Sequence, residues 1–255
     1  MGYGRKAGSD GARDKLMKMF RTLNFKKLTS TNDKAREFAK KGYHNLAIIA
    51  ERQEKGRGRF NRRWDSDLGG LYMTLLLKEN NLEKARYLTL IASVSVAKSI
   101  MKLSNLKADV KWPNDVLVND KKICGILTET ISGKESYALV GIGLNVNQKN
   151  FPGNLANKST SLNLELNKKF DIKKVSNILL KEFNILYSSY KNKKYSKIIE
   201  IWKKYSHTLG KNVKVKTLAG KYTGKAVNID KDCNLTIKLK NGKIRKITEG
   251  DIFVI

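Results

Sequence analysis

The hydrophobic positions along the chain change their period at about residue 211. Before that point, short apolar runs alternate with longer segments whose apolar residues recur at helical spacing, which is typical of an α/β fold. Beyond it, short segments of alternating polarity are separated by turn residues, as in a small all-β module. The pattern therefore predicts two units, an α/β domain over 16–210 and a smaller β domain over 211–255.

In the larger unit the pattern predicts helices joined to strands by short connections. Ser30 or Thr31 can cap the first helix, and Asp171 can cap a later one. Helices are expected over 32–40, 82–103, 171–190 and 194–208. Strands are expected over 46–50, 71–77, 116–118, 123–127 and 137–146, with residues 119–122 as the turn of a hairpin.

In the smaller unit, four short strands are expected over 213–215, 225–227, 235–239 and 244–247. Asn234 is expected to take the left-handed conformation in the turn that precedes the third of them. A module of about 45 residues buries little surface by itself. We therefore expect it to pack on the larger domain.

The charge of the chain is strongly basic, at +29 from 52 Lys and Arg against 23 Asp and Glu. Such a balance raises nucleic-acid binding as a hypothesis. However, the excess is mostly lysine scattered along the chain, and no amphipathic helical pair is apparent before residue 25. Specific DNA binding is therefore not expected. Residues 1–15 are basic and Gly-rich without periodicity, which predicts a disordered tail.

The sequence offers few residues for membrane insertion or metal chemistry. No apolar run approaches the ~20 residues of a membrane span, so a cytoplasmic location is expected. Cys124 and Cys233 are far apart, and His44 and His207 are the only histidines. A zinc site or a histidine-based catalytic triad is therefore not expected.

Residues 56–64, Gly-Arg-Gly-Arg-Phe-Asn-Arg-Arg-Trp, form the most distinctive segment, and we call them the arginine loop. Glycine lets a backbone turn its N–H groups toward a ligand, and arginine offers a planar fork of donors for carboxylate or phosphate. Four neighbouring positive charges repel each other, so the loop is expected to be mobile until an anionic ligand orders it. A solvated basic loop is the alternative interpretation of this segment alone.

Three further motifs follow in order along the chain. Lys111-Trp112-Pro113-Asn114-Asp115 places a proline at an extended segment. Lys122 to Leu127 has a glycine within an apolar strand, which indicates close approach of a ligand or another backbone. Gly141 to Asn147 is a strand with two glycines on one face and an amide at its end.

Together with Ser30-Thr31-Asn32 and Gln53, these blocks resemble the catalytic region of biotin protein ligases, from about Phe25 onward. The β module resembles the SH3-like C-terminal domain of that family. The resemblance implies the mixed α/β fold shared with lipoate ligases and a short form without an N-terminal DNA-binding domain. It also implies use of ATP and Mg²⁺ to convert biotin to biotinoyl-5′-AMP, and transfer of biotin to a lysine of a biotin carboxyl carrier protein. Monomer and homodimer are both compatible with the family.

The resemblance also implies the site residues. Biotin would contact Ser30, Thr31, Asn32, Gln53, Gly56, Arg57, Gly58, Arg59, Lys122 and Gly125. ATP would contact Arg59, Arg62, Trp64, Lys111, Asn114, Asp115, Lys122 and Asn145. Arg57, Arg59 and Lys122 are expected to be catalytic, because cations between the biotin carboxylate and the ATP phosphates lower their repulsion. Asp115 is the candidate contact for the metal ion.

Two other functions are carried as alternatives. A lipoate ligase or lipoyl transferase would share the fold, although the arginine loop and the Lys111–Asp115 motif favour biotin. A basic nucleic-acid-binding protein would use Arg57 and Arg59 as phosphate contacts.

Overall fold

In the computed structural model, which describes residues 19–255, one mixed sheet of seven strands forms the centre of the larger unit. The strands are β1 (Arg21–Phe25), β2 (Leu46–Ala50), β3 (Leu71–Lys78), β4 (Asp109–Lys111), β5 (Asp115–Val118), β6 (Lys121–Ile131) and β7 (Tyr137–Leu144). Their spatial order is β1-β2-β3-β7-β6-β5-β4. β1 and β2 pair in parallel, and the other neighbours pair antiparallel. The predicted tail over 1–15 lies outside the described residues.

Helices cover both faces of this sheet. They are α1 (Thr31–Lys40), α2 (Arg86–Ser104), α3 (Leu162–Leu166), α4 (Ile172–Lys191) and α5 (Tyr195–Lys204). The apolar helix α2 is buried between the sheet on one side and α4 and α5 on the other. α1 packs on the opposite face, where Ala35 and Ala39 belong to a second apolar cluster together with Ile48 and Leu76.

The helices α1 and α4 begin at the capping residues that the sequence indicated. Ser30 caps α1, with its Oγ accepting a hydrogen bond from the Asn32 amide at 3.2 Å. Asp171 caps α4 through the Lys173 amide at 2.8 Å. The starts of these two helices are therefore predictable from local chemistry alone.

Several predicted boundaries are wrong: the strand predicted over 137–146, for example, ends at Leu144, and two other differences have a clear physical cause. The hairpin turn contains only Asn119 and Asp120, both at positive φ, so the predicted turn residues 121 and 122 begin β6. This is possible because Asn and Asp tolerate the left-handed region that a two-residue turn requires. The helix predicted over 194–208 ends at Lys204, because the backbone beyond it pairs with the edge strand β4 at Val110.

The helix predicted over 82–103 begins with a 3₁₀ turn, Leu82–Ala85, before α2 continues to Ser104. β1, β4 and α3 were not predicted, and neither was the last strand of the chain. These elements are short or largely polar, so they show little periodicity.

The C-terminal unit is a five-stranded antiparallel sheet. Its strands are β8 (Asn212–Thr217), β9 (Gly220–Ile229), β10 (Leu235–Leu239), β11 (Ile244–Ile247) and β12 (Asp251–Val254), in the order β11-β10-β9-β8-β12. The left-handed residue in the turn before β10 is Cys233 with φ of 63°, and not Asn234 as predicted. Asn234 instead uses its backbone and side-chain N–H groups to bind the Asp230 carboxylate.

The two units share one hydrophobic core, as expected for a module too small to be stable alone. Trp112 lies in this core and donates from Nε1 to the Cys233 carbonyl at 3.0 Å. Arg86 on α2 donates to the Asn234 side chain at 2.9 Å. The predicted fold class, a mixed-sheet α/β domain with a small C-terminal β domain, is confirmed. Within residues 19–255, no helix has the length and apolar character needed to cross a membrane.

Candidate functional site

A cavity of about 270 Å³ opens between the arginine loop, the start of α1 and the strands β6 and β7. Most of the residues implied by the family resemblance line it: Ser30, Thr31, Asn32, Gln53, Arg57, Gly58, Arg59, Arg62, Trp64, Asn114, Asp115, Lys122, Gly125 and Asn145. Segments distant in sequence therefore meet at one site. Gly56 and Lys111 lie outside the lining.

One end of the cavity is a network of uncharged polar side chains. The Gln53 Oε1 accepts hydrogen bonds from the backbone N and the Oγ1 of Thr31, at 2.8 and 3.0 Å. Its Nε2 donates to the Ser66 Oγ at 2.9 Å. The buried Thr74 hydroxyl lies 2.8 Å from the Thr31 Oγ1. Ser66 and Thr74 were not predicted, because nothing in their local sequence distinguishes them from core hydroxyls.

Asn32 is held from two sides next to this network. Its Oδ1 accepts from Thr74, and its Nδ2 donates to the Glu129 carboxylate on β6 at 2.6 Å. A Cβ at Gly141 would lie 2.5 Å from the Asn32 Oδ1, so glycine is required there for this close approach. Glu129 and Gly141 are thus further residues of the site, and only the glycine gave a signal in the sequence.

The middle of the cavity is apolar. Ile126, Leu127 and Ile142 line it, and Trp64 lies across the paired glycines Gly125 and Gly143 on the neighbouring strands. A Cβ at Gly125 would come within 2.9 Å of the indole, and one at Gly143 within 2.4 Å. The glycines therefore form the surface on which Trp64 lies. Within residues 19–255 the buried Trp64 Nε1 has no hydrogen-bond acceptor.

The other end of the cavity is cationic. The Lys122 Nζ is 2.6 Å from the Asp115 Oδ1 and 5.3 Å from the centre of the Trp64 ring. Arg59 donates from Nη1 to the Asn114 Oδ1 and the Gly250 carbonyl, both at 3.3 Å. Burial lowers the pKa of Arg59, because removal from water disfavours the charged guanidinium.

The remaining arginines of the loop pair with carboxylates that the sequence did not indicate. Arg57 binds Asp33 through both of its terminal nitrogens, and Arg63 Nε lies 3.5 Å from an Asp65 oxygen. Arg62 binds Asp251 in the same two-pronged way, at 3.0 and 2.5 Å. The repulsion expected within the loop is therefore largely offset by acidic residues. In the described part of the chain, Arg59 alone among these arginines has no carboxylate at ion-pair distance.

Asp251 lies on β12, so the C-terminal unit closes part of the cavity. The hydrogen bond from Arg62 holds the pKa of this carboxyl below its ordinary range. A contact between residues 189 positions apart leaves no trace in local sequence.

The predicted nucleotide residues are arranged around the cationic end. The Asn145 Nδ2 donates to the Thr160 carbonyl at 2.9 Å, and the Asn114 Nδ2 donates to the Ile126 carbonyl at 2.8 Å. Lys111 Nζ lies 6.0 Å from the Phe253 ring, where burial lowers its pKa. Gly56 lies against the backbone of Trp64. A Cβ at this position would come within 2.5 Å of the Trp64 carbonyl oxygen.

The segment 151–160 forms a further wall that was not predicted. Phe151, Leu155 and Ser159 line the cavity. The backbone of Lys122 holds this segment by bonding to Lys158 and Thr160 at 2.8 and 2.9 Å. Its polar and irregular sequence gave no indication of this position.

Comparison with known proteins identifies two parts of the chain. A model of the Biotin/lipoate A/B protein ligase family matches residues 23–147, and a model of the Biotin protein ligase C terminal domain matches 208–254. The bifunctional ligase/repressor BirA of Bacillus subtilis is 36% identical over 232 residues, covering 88% of this chain and 71% of that protein. The biotin--[acetyl-CoA-carboxylase] ligase of Mycobacterium tuberculosis is 28% identical over 215 residues, covering 81% and 78%.

The structural comparison agrees. A biotin protein ligase from Aquifex aeolicus, solved in complex with biotin and ATP, superimposes with a TM-score of 0.81. It is 31% identical, and the match covers 92% of this chain and 98% of that one. The family resemblance read from the motifs is therefore confirmed, and the chain belongs to the biotin protein ligase family.

Proposed function

We propose that the chain is an ATP-dependent biotin ligase. It joins biotin to ATP as biotinoyl-5′-AMP with release of pyrophosphate, and then transfers the biotinoyl group to a lysine of a biotin carboxyl carrier protein. The observation that carries this proposal is one cavity, in a chain of this family, with an uncharged polar end, an apolar middle and a cationic end. This order of surfaces matches the order of groups along biotin and its adenylate.

Biotin has a polar ureido group on an apolar bicycle and a carboxylate at the end of an apolar tail. A pocket for such a molecule needs a few fixed polar groups at one end and dry walls elsewhere. Ser30, Thr31 and Gln53 supply hydroxyl and amide groups at the polar end, and Ile126 and Ile142 supply apolar wall. We assign the ureido group to the first set and the bicycle and tail to the second.

The first reaction brings two anions together, because the biotin carboxylate must attack the α-phosphate of ATP. Arg59 and Lys122 place two cations at one end of the cavity, where a low dielectric strengthens their attraction for negative charge. Asp115 fixes the position of the Lys122 ammonium before the substrates bind. These fixed charges stabilise the extra negative charge of the transition state.

The second reaction requires no nucleophile from the enzyme. The attacking amine belongs to the carrier lysine, so the chain contributes position, charge neutralisation and exclusion of water from a hydrolysable mixed anhydride. Trp64 and the arginine loop line the cavity, and we assign to them the exclusion of water from it.

Mg²⁺ is proposed as the ion that accompanies ATP, with Asp115 as its candidate carboxylate contact. Within residues 19–255 no three His, Cys, Asp or Glu side chains cluster as a metal site. This fits Mg²⁺, which commonly binds through one or two carboxylates together with substrate phosphates. When bound, the ion would offset phosphate charge.

The nucleic-acid alternative is weakened by the ion pairs of the arginine loop. Arg57 and Arg62 form ion pairs with Asp33 and Asp251, so these two arginines are not free to bind the phosphates of a nucleic acid.

Exchange of pyrophosphate into ATP separates the biotin and lipoate alternatives without a carrier protein. We expect exchange that depends on biotin and does not occur with lipoate. Exchange driven equally by lipoate would contradict the assignment of the polar end to a ureido group.

A further inference from the structure

The guanidinium of Arg57 is already paired with carboxylates of the protein. Its Nη1 and Nη2 bind the Asp33 carboxylate in parallel, at 2.8 and 2.5 Å. A second carboxylate, that of Glu129, lies 3.7 Å from Nη2. The family resemblance assigned Arg57 to charge neutralisation beside Arg59, but the two arginines have opposite surroundings.

The pKa values of Arg57 and Arg59 are shifted in opposite directions. The hydrogen bond to Asp33 raises the pKa of Arg57, whereas burial lowers that of Arg59. A cation that is matched by two carboxylates attracts an incoming anion weakly, because its field is largely cancelled. The fork of donors that would grip a substrate carboxylate is also occupied.

The contacts of Arg57 instead fix the geometry of the arginine loop. Its backbone pairs with that of Arg63, and the flanking glycines continue this ladder through bonds from Gly58 N to Arg62 O and from Trp64 N to Gly56 O. Arg57 therefore lies where the two ends of the arginine loop pair with each other. Fixing its side chain also fixes both of these paired backbone segments.

The carboxylates that hold Arg57 are themselves firmly placed. Asp33 lies in the first turn of α1, where the helix dipole favours a negative charge. Glu129 on β6 also accepts the hydrogen bond from Asn32. Asp33 and Glu129 thus connect the paired ends of the arginine loop to the start of α1, next to Ser30 and Thr31.

We propose that Asp33, supported by Glu129, is a positioning residue that anchors the arginine loop through Arg57, and that Arg57 does not itself neutralise substrate charge. This rests on the proposed function, since it divides the roles of the arginines in adenylation. The anchor sets how well the loop closes over biotin. Arg59, which has no carboxylate at ion-pair distance within residues 19–255, and Lys122, which has one in Asp115 where Arg57 has two, retain the role of stabilising charge in the reaction.

A double-mutant cycle of Asp33→Asn and Arg57→Gln in the full-length chain tests the division of roles. We expect each single variant to raise KM for biotin by about ten-fold or more, because a bidentate charged pair is lost. The kcat of adenylate formation should stay within about two-fold of the original value. The double variant should be no worse than the poorer single variant, because both changes remove one interaction.

Conservative variants and a matched control sharpen the test. Asp33→Glu should restore much of the lost affinity. Arg57→Lys should not, because lysine keeps the charge but lacks the fork. Glu37→Gln removes the Lys34–Glu37 ion pair of the same helix and should leave KM unchanged. A fall in kcat for Arg57→Gln that persists with Asp33→Asn would overturn the proposal.

Hydrogen exchange over residues 54–64 without substrates gives a readout independent of activity. Asp33→Asn should speed exchange there and leave the core strands β3 and β7 unchanged. Unaltered loop exchange would overturn the anchor. If the original chain forms no adenylate, the proposed function fails, while this exchange measurement still decides whether Asp33 holds the loop.

Discussion

Replacing Gly143 with alanine is expected to move Trp64 and to weaken nucleotide binding while the fold is kept. An added Cβ would lie 2.4 Å from the Trp64 Nε1 and 2.6 Å from its Cε2, which is too close for either atom. The backbone of Gly143 cannot retreat, because it pairs with Tyr72 on β3 and with Gly125 on β6. The Trp64 side chain and the arginine loop that carries it must therefore move instead.

The size of the effect follows from the cost of overpacking. Forcing an extra carbon into a packed contact typically costs about 1–3 kcal/mol. Because Trp64 is half-buried on a surface loop, most of this cost should appear in loop closure and little in unfolding. If Trp64 supports the nucleotide as proposed, ATP binding should weaken by about five-fold to 150-fold.

Calorimetric titration of ATP and thermal unfolding together measure the two parts of this prediction. Gly133→Ala is the matched control, since its Cβ would meet no atom closer than 3.6 Å. In a Trp64→Ala background, Gly143→Ala should have little further effect, because the colliding ring is gone. Unchanged ATP affinity in Gly143→Ala, or an equal loss in the Trp64→Ala background, would show that contact with Trp64 is not the cause.

Three further outcomes are expected. Lys122→Ala and Arg59→Ala should each lower the rate of biotinoyl-adenylate formation by about a hundred-fold or more with an unchanged circular dichroism spectrum; normal rates in a pyrophosphate-release assay would remove both residues from catalysis. Biotin should slow hydrogen exchange over residues 54–64, and equal exchange with and without biotin would argue against loop closure. Burial raises the pKa of Asp230, but the hydrogen bond from Lys246 and those from neighbouring N–H groups outweigh it and leave the pKa at about 2. Because this folded-state pKa is depressed, the stability that Asp230 contributes is present above the unfolded pKa of about 4 and is lost as the pH falls toward 2. The melting temperature of Asp230→Asn should thus lie below that of the original chain at pH 6 and converge with it near pH 2; a constant difference would contradict the ion pair.

Local chemistry explains which parts of the fold could be predicted. Ser30 and Asp171 mark helix starts because a capping side chain acts within its own turn. β1 and β4 were missed because one is polar and the other has only three residues. The end of α5 was misplaced because pairing with β4, a distant contact, stops the helix.

The candidate site divides in the same way. Motifs of adjacent residues, such as Ser30-Thr31-Asn32 and the arginine loop, could be recognised from the sequence. The acids that hold the loop could not, because Asp33 and Asp251 reach it only through the tertiary fold. The glycines of β7 were visible in the sequence, but their partners were not. One of them accommodates Trp64 and another accommodates Asn32.

Biotin ligase activity is tested most directly by the intact mass of a biotin carboxyl carrier domain after incubation with this chain, ATP, Mg²⁺ and biotin. We expect the carrier to gain the mass of one biotinoyl group at its acceptor lysine, and omitting ATP or replacing biotin with lipoate should abolish the gain. A carrier whose mass stays unchanged in the complete mixture, while a known biotin ligase modifies it in parallel, would show that the chain does not biotinylate this carrier.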